Sequence, residues 1–376
     1  MLYLFIFIVI LFLAIFELSS KYIMEKLFNV IFLIITLIAA FRYGVGTDYF
    51  GYMNIYNVLP KLDDPYFSTF ETHGEYGYKL IQGIFKLFNL DYTILIFVIS
   101  IITMYLFYYY IKKNSKSYMV SLLIFYSMYY FTYINNGIRQ GLTIGLFLTI
   151  LLPLLKKKQY WQYIILTLLF SLIHTSIIVV LILPLIRFDF NKEKFLLIIA
   201  GATLLSFMNI GFLLKPFGNI YISYQTYLSS RINLLSILSR IIIFIIVIIL
   251  YKNTSNNVNL EDKSTIKYYI IGIIIYVVFS RSELMASRLN VYFKCFEISL
   301  IPNMIKMLKD NQKKYIISYA ICIIMITMWA KEISGALEQG VYYNKVNILN
   351  YPYVSIFNKD DIYNYRYIDY SIKDNY

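Results

Sequence analysis

Arginine is the residue type whose placement in this sequence most clearly suggests chemistry. A guanidinium group is planar and permanently charged, so it binds phosphate or carboxylate bidentately, whereas lysine acts as a point charge. In the topology deduced below, every arginine except Arg187 lies at the outer side of the membrane, where the positive-inside rule disfavours it. We therefore expect the set to bind an anion, although any single arginine could be solvated or paired with Asp48 or Glu283. The arginines are Arg42, Arg139, Arg187, Arg231, Arg240, Arg281, Arg288 and Arg366.

The segment 41–52 combines arginine, glycine, a carboxylate and aromatic rings. It contains Arg42, Asp48 and Tyr49, and its glycines allow sharp turns. Aromatic rings suit the membrane surface and also stack on sugars. Glu75 lies in the same predicted outer loop, and two carboxylates fit general-base work on a sugar hydroxyl. For either acid alone, an ordinary solvated loop residue is the commoner case.

A very short outer turn at 135–140 precedes a predicted helix that begins with Arg139 and Gln140. The N-terminus of a helix presents backbone N–H donors and a partial positive charge. An arginine at that position therefore indicates a candidate phosphate-binding site.

Two further motifs contain polar residues next to apolar segments. His174 is followed by two hydroxyl residues at membrane depth, which makes it a functional candidate, or equally a core histidine that caps broken backbone. His174 has no neighbouring residues in the sequence that would form a catalytic dyad or triad with a nucleophile, and too few potential ligands for a metal site. Arg281 and Arg288 frame a predicted outer turn that leads to Tyr292, and they could complete an anion site with Arg42 and Arg139. The sequence alone does not bring these arginines together.

The composition indicates which class of protein must position these residues. Of 376 residues, 60% are hydrophobic and only 15% are charged, with a mean hydropathy of +0.64. This excess excludes a soluble enzyme, a disordered chain and a secreted disulfide scaffold, and it predicts an all-α polytopic membrane bundle. The apolar runs are continuous, which disfavours a transmembrane barrel. Cys295 and Cys322 lie inside apolar runs and are interpreted as buried apolar residues.

We predict about 11–12 membrane segments in a single domain at 1–333, followed by a tyrosine-rich outer tail at 334–376. Its outer loops are 42–90, 215–234 and 281–289. The long run 160–186 is expected to be a re-entrant pair of short helices bent near Ile173–His174, lining a cavity. The apolar runs are 2–18, 27–41, 91–111, 118–134, 138–155, 160–186, 194–214, 235–251, 266–280, 290–308 and 315–333.

The net charge of +13 is distributed in short lysine-rich loops, which favours a role in topology over nucleic-acid binding. Placing these clusters in the cytoplasm predicts that both termini lie outside. The clusters contain Lys21 and Lys26; Lys112, Lys113 and Lys116; Lys156 to Lys158; Arg187, Lys192 and Lys194; Lys252, Lys263 and Lys267; and Lys306, Lys309, Lys313 and Lys314.

The motifs, in their order along the chain, resemble those of the EpsG-type family, which are Wzy-like polymerases of bacterial exopolysaccharide and O-antigen. The resemblance covers nearly the whole chain. It is carried by Arg42–Tyr52, Glu75–Tyr78, Asn136–Gln140, His174–Ser176, Ser287–Phe293 and Tyr351–Tyr353.

The resemblance implies a multi-pass glycosyltransferase of the bacterial plasma membrane. It would join oligosaccharide repeat units carried on undecaprenyl diphosphate, outside the membrane and without a metal or nucleotide sugar. Chain-length regulator and flippase proteins are further candidate partners. Our hypothesis assigns the diphosphate to Arg139 and Arg288, with Arg42 and Arg281 as additional candidates. His174 or Asp48 would be the base that deprotonates the acceptor sugar.

Two other functions share parts of this chemistry. A transporter of lipid-linked glycan would also use arginine in a cavity, but it should show internal repeats and charges near the midplane, which we do not find. An O-antigen ligase uses the same donor, and the order of the motifs favours the polymerase over it.

Overall fold

The computed structural model describes residues 1–19, 24–71, 74–186, 201–205, 228, 234–254 and 260–368. Within these ranges the chain forms helices and no strand, with two isolated bridges that pair Arg42 with Ser355 and Tyr342 with Arg366. The predicted all-α bundle is confirmed.

The helices follow the predicted apolar runs closely where the chain is described. The α-helices are α1 Leu2–Ser19, α2 Glu25–Ala40, α3 Tyr49–Val58, α4 Tyr76–Leu87, α5 Tyr92–Asn114, α6 Tyr118–Phe125, α7 Ile138–Leu146, α8 Leu152–Lys156, α9 Tyr160–Ser171, α10 Leu234–Thr254, α11 Leu260–Val278, α12 Glu283–Lys294, α13 Glu297–Met307 and α14 Asn311–Gln339. π-Helices continue α6 over Tyr126–Asn136 and join α7 to α8 over Phe147–Leu151. Short 3₁₀ helices cover Pro65–Phe67 and Lys359–Asn364.

Five described segments are long and apolar enough to cross a membrane, which makes this a multi-pass membrane protein. They are Leu2–Ser19, Tyr92–Asn114, Ile138–Lys156, Ile237–Thr254 and Asn311–Gln339. The predicted run 194–214, apart from helical residues 201–205, lies outside the described residues. So do Arg187, Arg231 and the expected loop 215–234, apart from residues 228 and 234.

The run 160–186 is broken as predicted. Helix α9 ends at Ser171, and a 3₁₀ helix covers Thr175–Leu185 after a break at 172–174. The two legs pack side by side, since the hydroxyl of Tyr163 donates to the carbonyl of Val180 at 2.6 Å. At about 1.5 and 2.0 Å per residue, neither leg alone spans a hydrocarbon core of about 30 Å.

Two segments expected as outer loops contain helices. The segment 42–90 includes α3 and α4, because Tyr49, Met53 and Tyr56 recur at helical spacing and are buried. The segment 281–289 is mostly helical rather than a turn, since α12 begins at Glu283, whose charge favours a helix N-terminus. Arg288 therefore lies inside a helix.

The chain forms two compact units. Unit 1 contains Met1–Gly145, Leu172–His174 and Asp310–Tyr376, whereas unit 2 contains Leu146–Ser171 and Thr175–Lys309. In unit 2, α11 approaches α12 closely, and the hydroxyl of Tyr269 donates to Glu297 at 2.8 Å.

The helices of unit 1 run between two chemically different ends. At the lysine end, defined by residues 24–26 and 112–117, Lys112 pairs with Glu25, and Glu17 of α1 accepts the N–H of Met119 at the start of α6 at 2.9 Å. At the tail end, defined by residues 41–48, 135–139 and 341–368, the ring of Tyr3 packs 5.7 Å from that of Tyr351. The candidate residues of unit 1 cluster at the tail end.

Candidate functional site

A glycine loop, residues 43–48, lies at the tail end and is held on one side by the last residues of the π-helix that precedes α7. The backbone N–H of Thr47 donates to Oδ1 of Asn136 at 2.8 Å. Gly46 has a φ of +113°, and a Cβ atom there would lie 2.6 Å from the carbonyl oxygen of Asn135. Only glycine fits this close approach. The segment 41–52 and the segment 135–140, two separate motifs of the sequence, are therefore in direct contact.

The tail holds the same loop on its other side. The N–H of Tyr43 donates to the carbonyl of Val354 at 2.8 Å, and the N–H of Ile356 donates to that of Phe41 at 2.9 Å. Arg366 donates to the loop carbonyls of Gly44, Gly46 and Thr47. The loop is therefore fixed between the tail and the end of the π-helix at residues 135–136.

Asp48 is the last residue of this loop and precedes α3. Its side chain is exposed and accepts a hydrogen bond from the hydroxyl of Thr47 at 3.0 Å. It forms no ion pair with any residue that the structure describes. The loop therefore presents an exposed carboxylate at the tail end.

Arg139 lies in an aromatic pocket at the start of α7. Its Nη1 pairs with Glu75, and its Nε donates to the hydroxyl of Tyr52 at 3.3 Å. The guanidinium carbon lies 5.3 Å from the ring centre of Tyr52 and 5.5 Å from that of Tyr78. The side chain of Arg139 is 10% exposed and that of Glu75 17%. The Nη2 atom donates to no described residue, so one edge of the guanidinium keeps its donors for a ligand.

The break at 172–174 packs against the start of α4, beside this pocket. The carbonyl of Leu172 accepts the N–H of Tyr78 at 3.2 Å, and a Cβ on Gly77 would lie 2.7 Å from the same oxygen. His174, half-buried, is two residues further along. Burial raises the pKa of Tyr78, so its hydroxyl stays protonated at neutral pH. Glu75, Arg139 and the segment that carries His174 thus meet in one region of unit 1.

Three predicted substrate-binding residues lie in the interior instead of at an open surface. Arg42 is 1% exposed and donates to the carbonyl of Ala39 at 2.5 Å and to the hydroxyl of Ser100 at 2.8 Å. Tyr49 packs edge-on against the ring of Tyr92, and Gln140 is buried in α7. Their burial favours a supporting role over direct contact with a substrate.

The remaining predicted residues belong to unit 2. Tyr292 is buried, and its hydroxyl shares a hydrogen bond of 3.0 Å with that of Ser176, which joins two of the sequence motifs. Arg288 is half-buried within α12, and Arg281 precedes that helix with its Nε buried. An anion site shared by these arginines and those of unit 1 stays a prediction.

Individual roles for Arg366, Tyr52 and the side-chain amide of Asn136 were not predicted from the sequence. Arg366 is the only arginine of the tail, which was the one available signal. The described residues contain no group of three His, Cys, Asp or Glu side chains that could hold a metal ion.

Fold and site together define a polytopic helical membrane protein with an arginine–carboxylate pocket at one end of its first unit. The model of the EpsG family matches residues 25–355, and the chain belongs to this family. It is therefore a membrane protein of polysaccharide biosynthesis. The match includes the glycine loop and Arg139 and ends before Arg366. No curated protein and no solved structure matches the chain significantly.

Proposed function

We propose that this protein is a polymerase that joins oligosaccharide repeat units carried on a polyprenyl diphosphate, such as undecaprenyl diphosphate. The reaction would take place at the outer face of the bacterial plasma membrane and yield O-antigen, capsule or exopolysaccharide. The observation that carries the proposal is the aromatic pocket of Arg139. The Nη2 edge of its guanidinium donates to no described residue, and the glycine loop with the exposed carboxylate of Asp48 lies at the same end of unit 1. Membership of the EpsG family supports it.

The proposed orientation follows from the two ends of unit 1. Lysine-rich loops stay preferentially in the cytoplasm. The lysine end would therefore face inward, and the tail end, with the pocket and both termini, would face outward. Lipid-linked repeat units would then reach the pocket from the outer leaflet.

Arg139 is the proposed diphosphate ligand. Glu75 and Tyr52 fix the guanidinium through Nη1 and Nε, so the Nη2 edge is oriented before the substrate binds. A preorganised cation stabilises the negative charge that develops on the leaving diphosphate, and it does so most strongly where water is excluded. Tyr52 and Tyr78 exclude water from its faces.

Asp48 is the proposed base, because it is the exposed acid of the loop, whereas Glu75 is engaged by Arg139. The acceptor hydroxyl oxygen forms the new bond to the anomeric carbon of the growing chain. The bond from that carbon to the diphosphate oxygen breaks, the polyprenyl diphosphate leaves, and the hydroxyl proton passes to Asp48. His174 is the alternative base, since its segment borders the pocket.

The test replaces Arg139 by alanine and by lysine in the native host. Removing one positioned donor to a developing oxyanion typically costs about 10²–10³ in rate. We expect both variants to lose long polymer while single repeat units remain on the cell surface. The control is Lys112→Ala, which breaks the ion pair at the lysine end and should leave the polymer unchanged.

Each other outcome contradicts the proposal in a distinct way. Long polymer at wild-type protein levels in Arg139→Ala would remove the diphosphate role. Complete absence of repeat units from the surface would indicate failed export or ligation, as expected of a transporter or a ligase.

A further inference from the structure

Arg366 donates three hydrogen bonds to backbone carbonyls of the glycine loop. Its Nη1 donates to the carbonyl of Gly44 at 3.0 Å and to that of Gly46 at 2.7 Å, and its Nη2 donates to that of Thr47 at 3.0 Å. The side chain is only 7% exposed. Three carbonyl oxygens in one short loop thus converge on one guanidinium.

The guanidinium is itself held rigidly. Its carbon lies 5.2 Å from the ring centre of Phe50 and 5.6 Å from that of Tyr342. The backbone around it pairs with residues 341–343, since the N–H of Tyr343 donates to the carbonyl of Tyr365 at 2.9 Å. A fixed, planar donor of this kind determines where the loop carbonyls point.

We propose that Arg366 is a positioning residue for Asp48, an inference that rests on the proposed function. Arg366 and Asn136 hold the loop from opposite sides. Arg366 donates to the loop carbonyls, including that of Thr47, and the side-chain oxygen of Asn136 accepts the N–H of Thr47. Asp48 is the next residue, so the place of its carboxylate follows from this clamp. Of the two residues, Asn136 lies within the part of the chain that the family model matches, whereas Arg366 lies beyond it.

Lysine at position 366 is the discriminating variant. It keeps the charge, but its single ammonium group lacks the planar fork that reaches three carbonyl oxygens. If Arg366 supplied charge alone, lysine would restore function, whereas a positioning role requires the fork.

The experiment combines hydrogen exchange in nanodiscs with polymer analysis in cells. In Arg366→Lys and Arg366→Ala we expect faster amide exchange in residues 43–48, unchanged exchange at the lysine end, and at least a tenfold loss of polymer. The control is Lys359→Ala, which removes an exposed tail cation 5.5 Å from the ring centre of Tyr43 and should change neither readout.

Two results would overturn the inference. Unchanged exchange in 43–48 in both Arg366 variants would show that Arg366 does not hold the loop. Faster exchange with wild-type polymer would show that the held geometry is irrelevant to the reaction. The variant Asp48→Asn separates the two proposals. If Asp48→Asn loses the polymer and the Arg366 variants keep it, only the positioning role of Arg366 is wrong. If Asp48→Asn keeps the polymer, Asp48 is not the base, and the inference about Arg366 is wrong as well.

Discussion

At the scale of single residues, the arginines of this chain divide into different environments. Arg42 is buried against backbone carbonyls, Arg366 clamps a loop, and Arg139 lies between aromatic rings with a carboxylate. Only Arg139 of these three combines a charged partner with donors left for a ligand. Electrostatic stabilisation at this site would therefore depend on one guanidinium and on the residues that fix it.

Tyr52 offers a test of how that guanidinium is fixed. An attraction between a cation and an aromatic face contributes about 0.5–2 kcal/mol, depending on desolvation. We expect Tyr52→Phe, which keeps the ring, to retain most of the polymer, and Tyr52→Leu to lower it about tenfold. The measurement is polymer per unit of membrane-inserted protein. Equal polymer in the two variants would show that the ring face contributes nothing.

At the scale of elements, the glycine loop is the segment on which both proposals depend. It connects α2 to α3 and forms hydrogen bonds with two parts of the chain far away in sequence: it donates to Asn136 and accepts from Arg366. Its path requires a left-handed backbone at Gly46, where a side chain would also meet Asn135. Substituting this glycine therefore changes the path of the loop while leaving its charged groups unchanged.

Gly46→Ala should displace the loop without changing any charged group. A non-glycine residue in this backbone region costs about 1–3 kcal/mol, in addition to the clash with the Asn135 carbonyl. We expect polymer to be lost and the exchange of residues 43–48 to rise. Gly51→Ala in α3 is the matched control, since a Cβ there meets nothing within 4 Å. Wild-type polymer in Gly46→Ala would contradict the required geometry.

Much of this architecture was predictable from sequence, and the exceptions have physical causes. Continuous apolar runs determine the spanning helices, and the length of 160–186 predicts its break. Helix α3 was not predicted, because a short helix packed on its neighbours needs only a few buried aromatic residues, such as Tyr49 and Tyr56. The role of Arg366 was hidden for another reason. Its partners are backbone carbonyls over 300 positions away, which no side-chain pattern reveals.

At the scale of the whole molecule, the proposed orientation makes a labelling prediction. The native cysteines are both buried, so introduced cysteines can be labelled against a low background. With an impermeant thiol reagent on intact spheroplasts, we expect Asn344→Cys at the tail end to react. Lys113→Cys at the lysine end should react only after permeabilisation. The reverse pattern would place the pocket in the cytoplasm and exclude polymerisation outside.

The π-helix Tyr126–Asn136 determines the rotational phase of the residues that follow it. Its wider turns close with a hydrogen bond from the N–H of Gly137 to the carbonyl of Thr132, five residues back. Each residue of an ordinary α-helix turns the chain by about 100°. Deleting one residue to restore that winding would therefore swing Arg139 away from its carboxylate partner. The number of residues in this segment is constrained by geometry, and a change of length here would be far more damaging than most changes of side chain.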